Sequence, residues 1–331
     1  MSENDNRKAA VKKIKLLVYN QKMNMNVYRQ KIDDAYTVPI LPNKVELSEH
    51  NYGGVACDIF SPEIYSSKRV TFYIHGGCFV GGSRAAYRSF CAMIANKTFS
   101  RVVVPEYRLA PVTPFPSAIE DIQSVFRSLF TEEQIDRSLD SEVPEFVIAA
   151  DGAGASIALA LLLNLKDKFR KCIKKVVLFS PWLNVSDSSA LFTGKKKMSD
   201  EILSSDVIQQ CASLYTYESN FKNPLVSPAL ASSDLLEGFP PVYIQCGGKE
   251  ILLNDIRSFE DLLKNNNVEC KVEVWPDMMH LFQLADDLLE DAHHAFERLA
   301  AEISGIDNEN IERQTYENKP RLEDSLKRTE A

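Results

Sequence analysis

The sequence contains no C-x-x-C pair, no H-x-x-x-H spacing and no apolar run near the ~20 residues that crossing a bilayer requires. Clean apolar stretches such as Ile157 to Leu163 are far too short to span. The seven cysteines, at 57, 78, 91, 172, 211, 246 and 270, are odd in number and scattered, which indicates neither a disulfide framework nor a zinc site. They read as reduced, mostly buried thiols. Of the five histidines, His293 and His294 read as helix-surface residues, and neither a metal nor a cofactor is expected. The N-terminus, MSENDNRKAAVKKIKLLVY, carries Glu3 and Asp5 and lacks the apolar core of a secretory signal, so the expected location is cytoplasmic. A basic excess is missing too. The net charge of −8 argues against a general nucleic-acid binder.

What is present is ordinary globular material. A hydrophobic share of 45% in 331 residues supports one large α/β core with a helical cap. Residues 7–35 carry Val11, Ile14, Leu17, Met23 and Val27 at helical spacing on a basic background. A cap helix packed on the main domain is preferred there to a membrane-surface helix. From residue 53 short β-rich runs follow: VACDIF, VTFYIH, VVVPEY, EFVIAA, KVVLFS, PVYIQC and CKVEVW. The middle runs are continuously apolar, as strands covered by helices on both faces must be. Helical segments at 116–130, 154–166, 253–266 and 280–303 complete a mostly parallel, doubly wound sheet of about eight strands. The expected organisation is a helical cap segment over 1–45 and an α/β domain over 46–304. Within that domain 184–235 is a cap insertion, containing the charged GKKKMSD and a helix near 199–216. The polar tail, 305–331, is expected to be disordered or weakly helical.

"EFVIAADGAGAS" turns from a buried strand into an apolar helix through glycines, a form shared by dinucleotide cradles and hydrolase elbows. As a dinucleotide fingerprint it fails. Gly152 and Gly154 supply two glycines, but Ile157 occupies the third place and the next strand ends in Ser180-Pro181 where an acid is needed. As a hydrolase elbow it finds its partners elsewhere. His75-Gly76-Gly77-Cys78 follows an early strand, Glu250 follows the strand 241–246, and His280 follows the strand 270–275.

In that order the motifs resemble the hormone-sensitive-lipase family of α/β hydrolases, its microbial carboxylesterases in particular, over about residues 40–304. "YIHGGCFVGGS" resembles the family's oxyanion loop and "PEYRLAPVTPFPSAIED" its Y-R-L-A-P segment; "SPWLNVS", "NPLVSPAL", "CGGKEILLND" and "WPDMMHLFQL" match later loops. The resemblance implies an α/β-hydrolase fold with a helical cap. It implies an oxyanion hole from Gly76, Gly77 and Ala153, with Glu250 as acid and His280 as base. Asp255 is the alternative acid; Glu250 is preferred because it lies closest to its strand end. His75 is implied to brace its loop.

One position departs from the pattern. The family elbow reads G-D-S-A-G, and here Gly152 stands where the nucleophilic serine belongs. Without a hydroxyl the acyl-enzyme route is closed. Ser156 lies about one helical turn further on and points away, and Cys78, in the place of the third loop glycine, is read as a packing thiol. A further departure is Val112, where the family usually has glutamate after L-A-P. The expectation is a carboxylesterase-like scaffold that binds a small short-acyl ester or apolar ligand with little or no serine-esterase activity. A non-catalytic binder of a ligand or partner, and an active esterase altered by an engineered Ser-to-Gly change, are the alternatives.

Overall fold

In the computed structural model, residues 3–19, 22–64, 69–136, 143–187, 189 and 200–317 are described, the last eleven by their backbone alone. The charged GKKKMS stretch lies outside the described residues. An eight-stranded sheet forms the centre, with β1 (Val45–Tyr52), β2 (Val55–Pro62), β3 (Val70–Ile74), β4 (Arg101–Pro105), β5 (Phe146–Asp151), β6 (Ile173–Phe179), β7 (Val242–Gly247) and β8 (Cys270–Trp275). Its order is β1-β2-β4-β3-β5-β6-β7-β8. β2 runs antiparallel to β1 and β4, and every later neighbour pair is parallel. This is the mostly parallel α/β-hydrolase sheet.

Residue chemistry accounts for each layer. β3, β5 and β7 are buried along their whole length, consistent with their largely apolar sequences, which are broken only by the buried polar residues Thr71, Asp151 and Gln245. β1 is an edge strand with mostly exposed side chains, so VELSEHNY carries no apolar run to announce it. Around the sheet lie α1 (Glu3–Lys15), α2 (Met25–Ala35), α3 (Arg88–Thr98), α4 (Ser117–Asp136), α5 (Gly152–Asn164), α6 (Asp167–Arg170), α7 (Ser205–Tyr215), α8 (Leu253–Asn265) and α9 (Glu290–Glu317). α5 is buried from Gly152 to Leu163, which explains its apolar character on every face.

Two segments close over the carboxyl ends of the strands. α1 buries Ala10 and Ile14, and is tied down by Arg7 to Glu201 (2.7 Å) and by Lys13 to Asp287 (2.6 Å). Tyr28 of α2 donates to the Leu17 carbonyl at 2.8 Å, holding the α1–α2 connection against the body. α7 follows Asp200 and lays Ile208, Cys211, Ala212 and Tyr215 inward.

The C-terminal region differs from its sequence pattern in two ways. Residues 282–285 form a 3₁₀ turn, so the last helix starts only at Glu290. That helix then continues through the polar sequence to Glu317. Residues 318–331 lie outside the described residues. Among the described residues no helix is long and apolar enough to cross a membrane.

Candidate active site

β5 passes directly into α5 at Asp151-Gly152, and Gly152 takes a left-handed φ of +46°. L side chains rarely adopt this conformation. There is nevertheless room for one: a Cβ built on Gly152 would meet only His280 Nε2 and Leu281 Cδ1, both at the ordinary contact distance of 3.9 Å. Gly154 differs. A Cβ there would lie 2.3 Å from the His75 carbonyl oxygen, so glycine is needed for α5 to lie against the end of β3. Ser156 donates its hydroxyl proton to the Trp182 carbonyl and faces away from the elbow.

The loops after β7 and β8 bring an acid and a base together. Glu250 accepts from the Gly247 N–H at 2.8 Å through Oε1 and holds His280 Nδ1 at 2.9 Å through Oε2. Both side chains are buried. Burial raises the Glu250 carboxyl above its ordinary range, opposed by the hydrogen bond and charge of His280. Burial also pushes the imidazole down, but the hydrogen bond and charge of Glu250, aided by Asp200, leave it raised overall. The Nδ1–H is thereby fixed on the glutamate side, and Nε2 faces Gly152. Asp255 accepts from Ser189 instead, so Glu250 is the partner of His280.

Asp200 escapes the sequence pattern and buttresses this pair. Its carboxylate accepts from the Ile202 (2.7 Å) and Leu203 (3.1 Å) N–H groups at the cap and from the Ile251 N–H (2.8 Å) beside the acid.

The oxyanion loop requires one correction. The Gly76 N–H donates to Asp151 Oδ1 at 2.8 Å and so does not serve the pocket. Gly77 and Cys78 line the pocket in its place, together with Ala153, Gly152 and His280. Asp151 also accepts from Tyr73 (2.7 Å) and Tyr87 (2.8 Å), stitching the elbow to the loop. Burial raises its carboxyl to about 6, against the lowering effect of those hydrogen bonds. Gly77 has a φ of +117°, and a Cβ on it would lie 2.1 Å from the Gly81 carbonyl oxygen, so the loop can close only through glycine. His75 is stacked on Tyr107, with centroids 4.4 Å apart, and Nδ1 lies 2.8 Å from the Gly76 carbonyl. Burial lowers it to about 4, which makes it a neutral brace.

The pocket these groups share has a volume of about 20 Å³, enough for a water molecule. Leu17 and Val18 from the α1–α2 connection, Leu203 and Ile208 from the cap, and Trp182, Leu252 and Leu281 form its apolar walls. A larger concavity of about 490 Å³ lies on the β1–β2 edge between Lys44 and Glu63, remote from these groups. Among the described residues no cluster of His, Cys, Asp or Glu could hold a metal ion.

A family profile described as alpha/beta hydrolase fold matches residues 71–284. An esterase of Acinetobacter venetianus is 30% identical over 73% of this chain and 77% of its own length. An acetyl-hydrolase of Streptomyces hygroscopicus is 29% identical over 69% of this chain and 73% of its own. The crystal structure of an esterase from the bacterial hormone-sensitive lipase family superposes with a TM-score of 0.79 at 26% identity, covering 92% of this chain and 99% of that one. With the sheet order, elbow and acid–base loops described above, these likenesses show that the chain belongs to the hormone-sensitive-lipase family of α/β hydrolases.

Proposed function

We propose that this chain binds a short-acyl carboxylic ester in the pocket at Gly152 and turns it over little or not at all, because it lacks the hydroxyl for an acyl-enzyme. The observation that carries the reading is the pair His280–Glu250, whose free Nε2 stands 3.9 Å from the Cβ position of Gly152. In this reading the ester carbonyl oxygen lies among the N–H groups of Gly77, Cys78 and Ala153, where developing negative charge is stabilised. The enclosure is apolar and holds about one water, so an ester enters only once Leu17, Val18 and the cap residues draw back; its small size favours the shortest acyl groups, in keeping with acetyl-hydrolases among the relatives.

The remaining chemical route is direct hydrolysis. A water between His280 Nε2 and the carbonyl gives its proton to the imidazole and forms a C–O bond; the tetrahedral intermediate then expels the alcohol, which recovers that proton. Without the nucleophile, acceleration over water stays at ~10³ to 10⁴. A purely non-catalytic binder is the second reading, favoured by the closure of the pocket under Leu17 and Val18. Hydrolysis of p-nitrophenyl acetate by this chain and by Gly152→Ser tests both. Turnover that appears only in the variant supports a latent ester site, and none in either excludes it.

A further inference from the structure

The loop that carries Gly77 and Cys78 has a demanding backbone. Gly77, Cys78, Phe79 and Gly82 take φ values of +117°, +56°, +65° and +83°. Residues with side chains rarely adopt such angles, and keep them only where the surroundings hold them there. Inside the loop, the Val80 and Gly81 N–H groups both donate to the Gly77 carbonyl, at 3.1 and 2.8 Å. Outside it, the Ala110 N–H donates to the Phe79 carbonyl at 3.1 Å. The next carbonyl is taken by the cap. Half-buried Arg29 of α2 donates through Nε to the Val80 carbonyl at 3.0 Å and through Nη2 to the Ala110 carbonyl at 2.7 Å. Val80 and Ala110 are buried, so these carbonyls need a protein donor. One guanidinium therefore bridges the two segments that the Phe79–Ala110 bond already joins and closes a ring of hydrogen bonds between them. The residue before it, Tyr28, packs its ring so closely over Gly81 that a Cβ there would overlap it, and donates to the Leu17 carbonyl at 2.8 Å. Successive residues of α2 thus hold the oxyanion loop and the wall of the pocket.

From these contacts we infer that Arg29 is a positioning residue for the oxyanion donors: its planar fork fixes the far side of the loop and thereby the direction of the Gly77 and Cys78 N–H groups. Gly77 and Cys78 line the pocket and Arg29 does not, so it acts through the loop. Arginine suits the task because two of its N–H groups, held in one plane, serve two carbonyls at once, with the added strength of a charged donor. The ammonium of a lysine would be a single point and could not span both. The arrangement also divides the labour of the cap. Leu17 and Val18 draw back to admit an ester, while α2 stays in place and keeps the loop in its strained form. The consequence for turnover rests on the ester-binding reading, whereas the hold on the loop does not.

The test has two arms, both on the full chain. In the first, amide exchange is compared between the parent and Arg29→Ala. Exchange over 77–82 and 108–112 should quicken about 10-fold, with no change over 146–163 in β5 and α5. Unchanged exchange over 77–82, or an equal rise over 146–163 that reports general loss of stability, would overturn the inference. In the second arm, p-nitrophenyl acetate turnover is measured in the Gly152→Ser background. Arg29→Ala should lower kcat by about 10- to 100-fold and leave KM within about twofold, because misdirected donors weaken the transition state and not the bound ester. Arg29→Lys keeps the charge without the fork and should fall between the two. A rise in KM at constant kcat would overturn the positioning role, and full activity in Arg29→Lys would overturn the role of the fork. Failure of the ester reading shows separately, as absence of turnover in Gly152→Ser with Arg29 in place; exchange over 77–82 then decides the hold on the loop by itself.

Discussion

Replacing Gly152 with serine tests the site most directly, because its cost and its gain can be worked out separately. The cost is backbone strain: a left-handed φ of +46° with a side chain costs about 1–2 kcal/mol. No clash adds to it, since the nearest atoms to the new Cβ are at 3.9 Å. The gain depends on the hydroxyl reaching the base. With Nε2 3.9 Å from Cβ and a C–O bond of about 1.4 Å, a staggered rotamer brings Oγ into hydrogen-bonding range of about 2.7–3.0 Å. His280 then accepts the proton, Oγ attacks the acyl carbon, and Glu250 stabilises the imidazolium. Turnover of p-nitrophenyl acetate should rise at least about 10³-fold, equivalent to about 4 kcal/mol off the barrier. Gly152→Ala has the same strain without the hydroxyl, so it should lose similar stability and gain no turnover. A folded Gly152→Ser chain no faster than Gly152→Ala would refute the dyad geometry.

Three further substitutions test the supports of the site. In the Gly152→Ser background, Glu250→Gln should cut kcat/KM by about 10² to 10⁴-fold. It should also move the limb set by His280 deprotonation to lower pH, because the carboxylate that raises this imidazole is gone; an unmoved limb would count against the pairing. Asp151 is raised in the fold to about 6, so its contribution to stability is full below the unfolded carboxyl value and is lost as pH rises to about 6. Asp151→Asn removes that slope, and urea unfolding should show the variant improving relative to its parent by about 2 kcal/mol between pH 4 and pH 7. Gly77→Ala forces a Cβ to within 2.1 Å of a backbone oxygen at a φ of +117° and should destabilise by about 3 kcal/mol or more. Gly54→Ala, at a φ of +91° with nothing within 4 Å, carries strain alone, and an equal fall in urea midpoint for both would rule out the clash.

Different physical signals govern how far the site could be read from sequence. Glu250 and His280 are legible because each lies on the loop past the end of a strand, where topology alone brings the two loops together. Gly76 misleads because a glycine motif marks where the backbone turns and not where each N–H points; the Asp151 carboxylate decides that. β1 escapes because its side chains face water, and α3 because Phe90, Cys91, Ala92, Ile94 and Ala95 are all buried and leave no single apolar stripe. Closure by Leu17 and Val18 is the least legible feature. It depends on where α1 docks, through Arg7 and Lys13, against residues hundreds of positions away in the chain.

Those supports also explain how the site keeps its form with glycine at position 152. Glu250 satisfies the Gly247 N–H and the imidazole, so its removal leaves buried polar groups unpaired. Asp151 holds Gly76 and two buried tyrosines, and Gly77 and Gly154 occupy places where any side chain meets backbone. Each of these residues has packing work independent of catalysis. Position 152 alone has none: a side chain there touches nothing closer than 3.9 Å and strains the backbone that carries it. Glycine at 152 therefore relaxes a backbone that serine would strain, and in the ester-binding reading the surrounding geometry is held by stability alone.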